Sequence, residues 1–206
     1  MGGHTRNIGK TALVVDIIRA FPAMAWTAVK ITQFGHAECA AGAGCDCAPR
    51  EHAFALDAET NSDSGTDSSR FLAAGAARSF WLRTKQGQLA LGMPALRQAL
   101  STAGFSILES NSVLHFIRPA LYLVVLDPSR EDFKPSAQTF LDRADAFILR
   151  SAAAAAWRSV SGSLLAGRPS FSQPLGTALP PALTAWIRDN LPASDSLLPD
   201  GGRQSY

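Results

Sequence analysis

Lysine is scarce in this chain: Lys10, Lys30, Lys85 and Lys134 are the only four among 19 basic residues in 206. Charge of either sign is sparse. Charged side chains make up 17% and the formal net charge is +2, with no clustered basic stripe to track a nucleic-acid backbone. No apolar run approaches the roughly 18–20 residues that cross a bilayer, and the N-terminus has no charged-then-apolar export signal. Cysteine is confined to Cys39, Cys45 and Cys47, which do not make the disulfide framework of a secreted protein. These absences predict a cytoplasmic protein with neither nucleic acid nor membrane as a partner.

What is present begins at the N-terminus. The stretch Gly3-His4-Thr5-Arg6-Asn7-Ile8-Gly9-Lys10-Thr11 ends in Gly-Lys-Thr, and Ala12 to Phe21 behind it reads as a helix. Glycines let a backbone curl so that successive N–H groups meet phosphate oxygens; a lysine reaches the outer phosphates and a threonine hydroxyl holds Mg²⁺. The helix adds its positive end to the same spot. The common spacing would put a glycine at position 4, where His4 stands; Gly3 serves if the loop is one residue longer. Such a loop links a buried strand to a helix, yet only Met1 and Gly2 precede Gly3. The first strand is therefore expected to be missing from the chain as given.

With 206 residues, one α/β domain with a substantial core is expected. Leu13, Val14, Ile17, Ile18 and Phe21 repeat at helical spacing, and Pro22 ends that helix. Strands are predicted at 26–32, 79–84, 105–109, 121–127 and 145–149. Helices are predicted at 69–78 (capped by Asp67 or Ser68), 87–103, 135–144, 151–157 and 182–191. Alternating strands and helices imply a mostly parallel sheet covered on both faces, a three-layer α/β fold. From His36 to Ser69 the periodicity breaks into a loop holding the cysteines. The phosphate-loop domain is expected over 1–150, with 151–206 a C-terminal helical extension and a flexible tail.

Five sets of residues could carry chemistry. Lys10 and Thr11 are the phosphate and magnesium groups. Glu109 ends an apolar strand, where a carboxylate orients magnesium or water. Lys30 lies within an apolar strand and must either reach a strand end or meet an anion. Of Asp57, Asp63 and Asp67, one, with Asp67 favoured, is expected to ligate Mg²⁺. Finally, His36, Cys39, Cys45 and Cys47, with His52 able to replace His36, suffice for tetrahedral Zn²⁺; reduced thiols or a redox pair are the other readings.

Four segments together resemble the P-loop family that includes the molybdopterin-guanine dinucleotide biosynthesis protein MobB and dethiobiotin synthetase. Gly3 to Thr11 is similar to the longer loop of dethiobiotin synthetase, and Val29-Lys30-Ile31-Thr32-Gln33 to the lysine-bearing second strand of both. Asp67-Ser68-Ser69-Arg70 with Ala74-Gly75-Ala76 resembles a MobB segment, and Ile107-Leu108-Glu109 its Val-Glu-Gly strand. The resemblance covers roughly residues 3 to 112. It implies a Mg²⁺-dependent protein that binds GTP or ATP through Gly3–Thr11 and hydrolyses it slowly, in the biosynthesis of molybdenum cofactor. A protein of that biosynthesis and a second copy of the chain are the expected partners. A ligase of the dethiobiotin synthetase kind, with Lys30 activating a second substrate, and a metal-binding adaptor with a degenerate loop are the alternatives. Three features depart from the family: Ser110 follows Glu109 in place of glycine, the cysteine segment is an insertion, and Phe147-Ile148-Leu149-Arg150 carries no guanine-reading motif.

Overall fold

The computed structural model describes residues 1–35, 53–153, 157 and 160–192. It is an α/β fold with one all-parallel four-stranded sheet and one mixed four-stranded sheet. In the first, β1 (Gly2–Gly3), β6 (Leu123–Leu126), β7 (Ala146–Leu149) and β8 (Ser170–Ser172) lie side by side in that order. In the second the order is β3 (Phe54–Glu59), β4 (Arg78–Lys85), β2 (Thr27–Phe34) and β5 (Ser106–Glu109), with β3 antiparallel to β4. Met1 joins the two: its N donates to the Leu108 carbonyl at 2.9 Å, and the Ser110 N–H donates to the Met1 carbonyl at 3.0 Å.

At the place expected to lack its strand, Gly2 and Gly3 pair with Val124 and Val125, a two-residue strand set between β5 and β6. Two glycines have poor strand propensity, and close approach explains them here. A Cβ on Gly2 would lie 2.2 Å from the Tyr122 hydroxyl, and one on Gly3 would lie 2.8 Å from Ile8. Asn111 completes the pairing with its amide: Oδ1 accepts from the Gly3 N–H at 2.9 Å, and Nδ2 donates to the Gly3 carbonyl at 3.0 Å.

Side chains alternate across the strands and build a core on each face. Ala28, Leu123, Val125, Ala146 and Ile148 pack with α1 (Lys10–Ala20), Phe71 of α2 (Asp67–Ala73) and Leu183 and Ile187 of α6 (Pro181–Asn190). Val29, Ile31 and Leu82 face Leu89, Met93 and Leu96 of α3 (Leu89–Leu100). Val124, Leu126 and Phe147 face Phe140 and Leu141, beyond α4 (Pro135–Gln138). Each such side chain removed from water contributes about 1.5–3 kcal/mol. The expected covering of the sheet on both faces is what the structure has.

Several boundaries differ from expectation. The segment 36–69 contains β3, whose Phe-Ala-Leu-Asp-Ala-Glu sequence is too poor in β-formers to signal a strand. α2 starts earlier, capped by neither Asp67 nor Ser68: Thr66 accepts from the Ser69 N–H at 3.1 Å. The helix expected over 135–144 is a single turn at α4 followed by a 3₁₀ turn at Leu141–Arg143. Residues 151–153 are not helical. α5 (Gly162–Ala166) and β8 occupy a stretch that reads as loop in the sequence. Among the described residues no helix is long and apolar enough to cross a membrane.

Candidate functional site

The carboxyl ends of β1 and β5, the middle of β2 and the first turn of α1 converge on one cluster of polar groups. Between β1 and α1 the backbone turns through two left-handed residues, Asn7 at φ 55° and Gly9 at φ 83°. Gly9 is the N-cap of α1 and offers no side-chain cap, so the first N–H groups of the helix are left for an outside acceptor. The positive φ favours glycine at position 9, where a Cβ would strain the backbone and push aside the exposed Leu175 side chain.

Lys10 folds back over this loop and donates to the Thr5 carbonyl at 2.9 Å. Burial pushes its pKa down, the Glu109 charge pulls it up, and Lys30 pushes it down again. Thr11 is buried and donates to Glu109 Oε2 at 2.8 Å. Glu109, 3% exposed, holds Lys30 Nζ at 2.7 Å through its other oxygen. The Lys30 ammonium also lies 2.6 Å from Asp67. Strand register explains the meeting: Lys30 stands opposite Glu109, the last residue of β5. Burial alone would lower the pKa of Lys30, but Glu109 and Asp67 outweigh it and raise the pKa above its ordinary value. The lysine inside an apolar strand has therefore met anions.

Of the three loop aspartates, Asp67 alone reaches this cluster. Asp57 pairs with Arg83 at the β3–β4 surface, and Asp63 is exposed in a turn. Among the described residues no group of three or more His, Cys, Asp or Glu side chains forms a metal cage. Thr11, Glu109 and Asp67 are oxygen donors, the kind that Mg²⁺ accepts in small number while keeping water and substrate oxygens around it. The donor set fits magnesium. The cluster expected at His36, Cys39, Cys45 and Cys47 lies outside the described residues.

His4 stands where the common pattern has glycine, and it serves as an anchor. It is fully buried, with Phe133 and Trp157 at ring-centroid distances of 5.2 and 4.9 Å. Nε2 accepts from the Asp127 N–H at 3.0 Å, which fixes the proton on Nδ1, and Nδ1 donates to the Asp132 carbonyl at 2.8 Å. Beside it Thr5 hydrogen-bonds the Asp132 carboxylate. Ile8 is buried in the core and Asn7 is exposed.

Burial lowers the pKa of His4, and protonating Nε2 would destroy the bond from Asp127. The folded pKa lies below the unfolded value of about 6.5. Its stability contribution is therefore full above about pH 6.5 and lost as pH falls below that value toward the folded pKa. The Met1 amino group, pushed down to about 6 by burial, spreads a similar loss between about pH 8 and 6. Melting temperatures of wild type and His4→Gln measured from pH 7.5 to 5.5 separate the two. The substituted protein should melt lower throughout but lose less across the window, and parallel curves would show that His4 does not titrate against the fold.

Other residues important here carried weaker signals in the sequence. Arg150, at the end of β7, is 7% exposed and donates to the carbonyls of Ile8 at 3.1 Å and Gly9 at 2.7 Å. Its remaining nitrogen meets the Gln173 carbonyl and Oε1 at 2.8 and 3.1 Å, and Gln173 in turn donates to Asp16 of α1 at 2.8 Å. An arginine closing an apolar strand was a usable signal, since a buried guanidinium must find acceptors. Asn111, two residues past Glu109, braces Gly3 with its side-chain amide. No protein-family model, no curated protein and no solved structure matches this chain.

Proposed function

We propose that the chain is a P-loop nucleotide-binding protein of the MobB type, taking GTP or ATP with Mg²⁺ and hydrolysing it slowly. One observation carries this reading: the Gly3–Thr11 turn, Lys10, and the Thr11–Glu109–Lys30–Asp67 cluster meet beyond the carboxyl ends of β1 and β5. That is where α/β sheets bind ligands. The backbone N–H groups at the start of α1 and the Lys10 ammonium would hold the phosphates. Thr11, Glu109 and Asp67 would hold Mg²⁺, which supplies charge neutralisation at the outer phosphate oxygens when bound. Glu109, withdrawn from solvent, would orient the attacking water or a magnesium-bound one through its carboxylate. Lys30 pairs with both carboxylates and holds them in place. Its two carboxylate partners favour this role over activation of a second substrate, for which an uncommitted ammonium would be needed.

The test is calorimetric titration with MgGTP and MgATP, followed by turnover of whichever binds. Glu109→Gln should bind within severalfold of wild type and hydrolyse about a hundredfold more slowly, the loss expected for a positioned acid–base or magnesium-orienting group. Wild-type turnover in that variant would return Glu109 to a structural role. No binding of either nucleotide to the folded protein would overturn the reading.

A further inference from the structure

Lys134 was singled out in the sequence only by its rarity, and the reading above does not use it. The structure brings it to the loop. Its backbone N–H donates to the His4 carbonyl at 2.8 Å, one residue from the Thr5 carbonyl that holds the Lys10 ammonium. The neighbouring Phe133 packs on the His4 ring, so the chain after β6 is fixed against the turn. Among the described residues the Lys134 ammonium has no ion-pair partner, whereas Lys30 has two. We propose that Lys134 is a second phosphate-directed cation of this site, meeting the outer phosphates of a nucleoside triphosphate together with Lys10. The proposal rests on the nucleotide reading and deepens it.

The local electrostatics agree with the geometry. Burial pushes the pKa of Lys134 down to about 8; the charges of Lys10, Arg6 and Lys30 push the same way and only Asp132 opposes them. Lys10 is lowered as well, by burial first and then by Lys30 and Arg6 against Glu109 and Asp67. A half-buried ammonium with other cations beside it and, among the described residues, no ion-pair partner of its own is what a multiply charged anion stabilises on arrival. Binding should therefore draw a proton onto Lys134 near pH 8.5, because the anion raises its pKa again.

The experiment titrates MgGTP, MgATP and free tripolyphosphate into wild type, Lys134→Gln and Lys134→Arg at pH 7.5. Titrations are repeated at pH 8.5 in buffers of different ionisation enthalpy to read proton uptake. Lys134→Gln should weaken the triphosphate ligands by about 10- to 100-fold, as loss of a charge-assisted contact does. Lys134→Arg should stay within about fivefold of wild type, and proton uptake should fall in Lys134→Gln, a change that a purely structural lysine would not produce. Wild-type affinity and proton uptake in Lys134→Gln would overturn the role of Lys134 and leave Lys10 standing. Equal loss in both variants would overturn it too, since charge would not be the cause. Binding of tripolyphosphate but no nucleotide, with the same dependence on Lys134, would support this cation and sink the nucleotide reading. A folded wild type that binds none of the three overturns both.

Discussion

Lys10→Ala is expected to weaken triphosphate binding at least a hundredfold while leaving the melting temperature of the empty protein unchanged or raised. The first half follows from the proposed role: the ammonium lies folded over the turn, 2.9 Å from the Thr5 carbonyl, in the loop whose backbone amides would hold phosphate. Charge-assisted contacts to phosphate are among the strongest single interactions available. The second half follows from what surrounds Lys10 in the empty protein. Burial, with Lys30 and Arg6, opposes its charge more than Glu109 and Asp67 favour it, and the charge in turn weighs against that of Lys134. Removing a cation from such a cluster relieves repulsion, and losing one hydrogen bond offsets that by only about 1 kcal/mol. A residue that costs stability and supplies affinity is the signature of a site rather than of a scaffold. Calorimetry and thermal melts decide the matter together. Undiminished affinity would remove the loop from the phosphate reading, and a large drop in melting temperature would make Lys10 structural.

Arg150→Ala is expected to produce the largest loss of stability, about 2–4 kcal/mol by denaturant titration. One buried guanidinium serves the carbonyls of Ile8, Gly9 and Gln173. Truncation leaves the Ile8 and Gln173 acceptors without their donor, and each such buried group costs about 1–3 kcal/mol. The Gly9 carbonyl keeps its helical bond from Leu13 and is less affected. Against a total of roughly 5–15 kcal/mol, this is a severe change. Arg150→Lys should recover little of it, because an ammonium cannot reproduce the planar fork that reaches loop and strand at once. In the fraction that stays folded, triphosphate affinity should fall by about tenfold, since the turn would lose its brace on the Gly9 side. Unchanged stability in the alanine variant would show that water replaces the guanidinium at no cost.

Much of the architecture was legible from residue pattern alone. Leu13, Val14, Ile17 and Ile18 announced α1 by their helical spacing, and all four are buried as that spacing requires. The run Leu121–Asp127 announced β6 by continuous apolar character, since a strand buried on both faces has no polar side. Glu109 and Lys30 were each marked by one anomaly, a charge at the end of or inside an apolar strand. Only the register of β2 against β5 shows that they neutralise each other.

What tertiary structure decided lies where local preference is weak or opposed. Gly2–Gly3 has no propensity for a strand; it becomes one because Val124, Val125 and the Asn111 amide supply its hydrogen bonds from over a hundred residues away. β3 is a strand because the open edge of β4 needs a partner, although Asp57 and Glu59 lack β preference. His4 in place of glycine, Arg150 beneath the turn and Lys134 beside it owe their roles to contacts spanning 123 to 142 residues of chain. Periodicity and turn chemistry act over a few residues and can be read along the chain. Hydrogen-bond satisfaction of buried groups acts between segments, so the sequence by itself determined the layers and the polar anomalies, and the folded chain alone determined which of them meet.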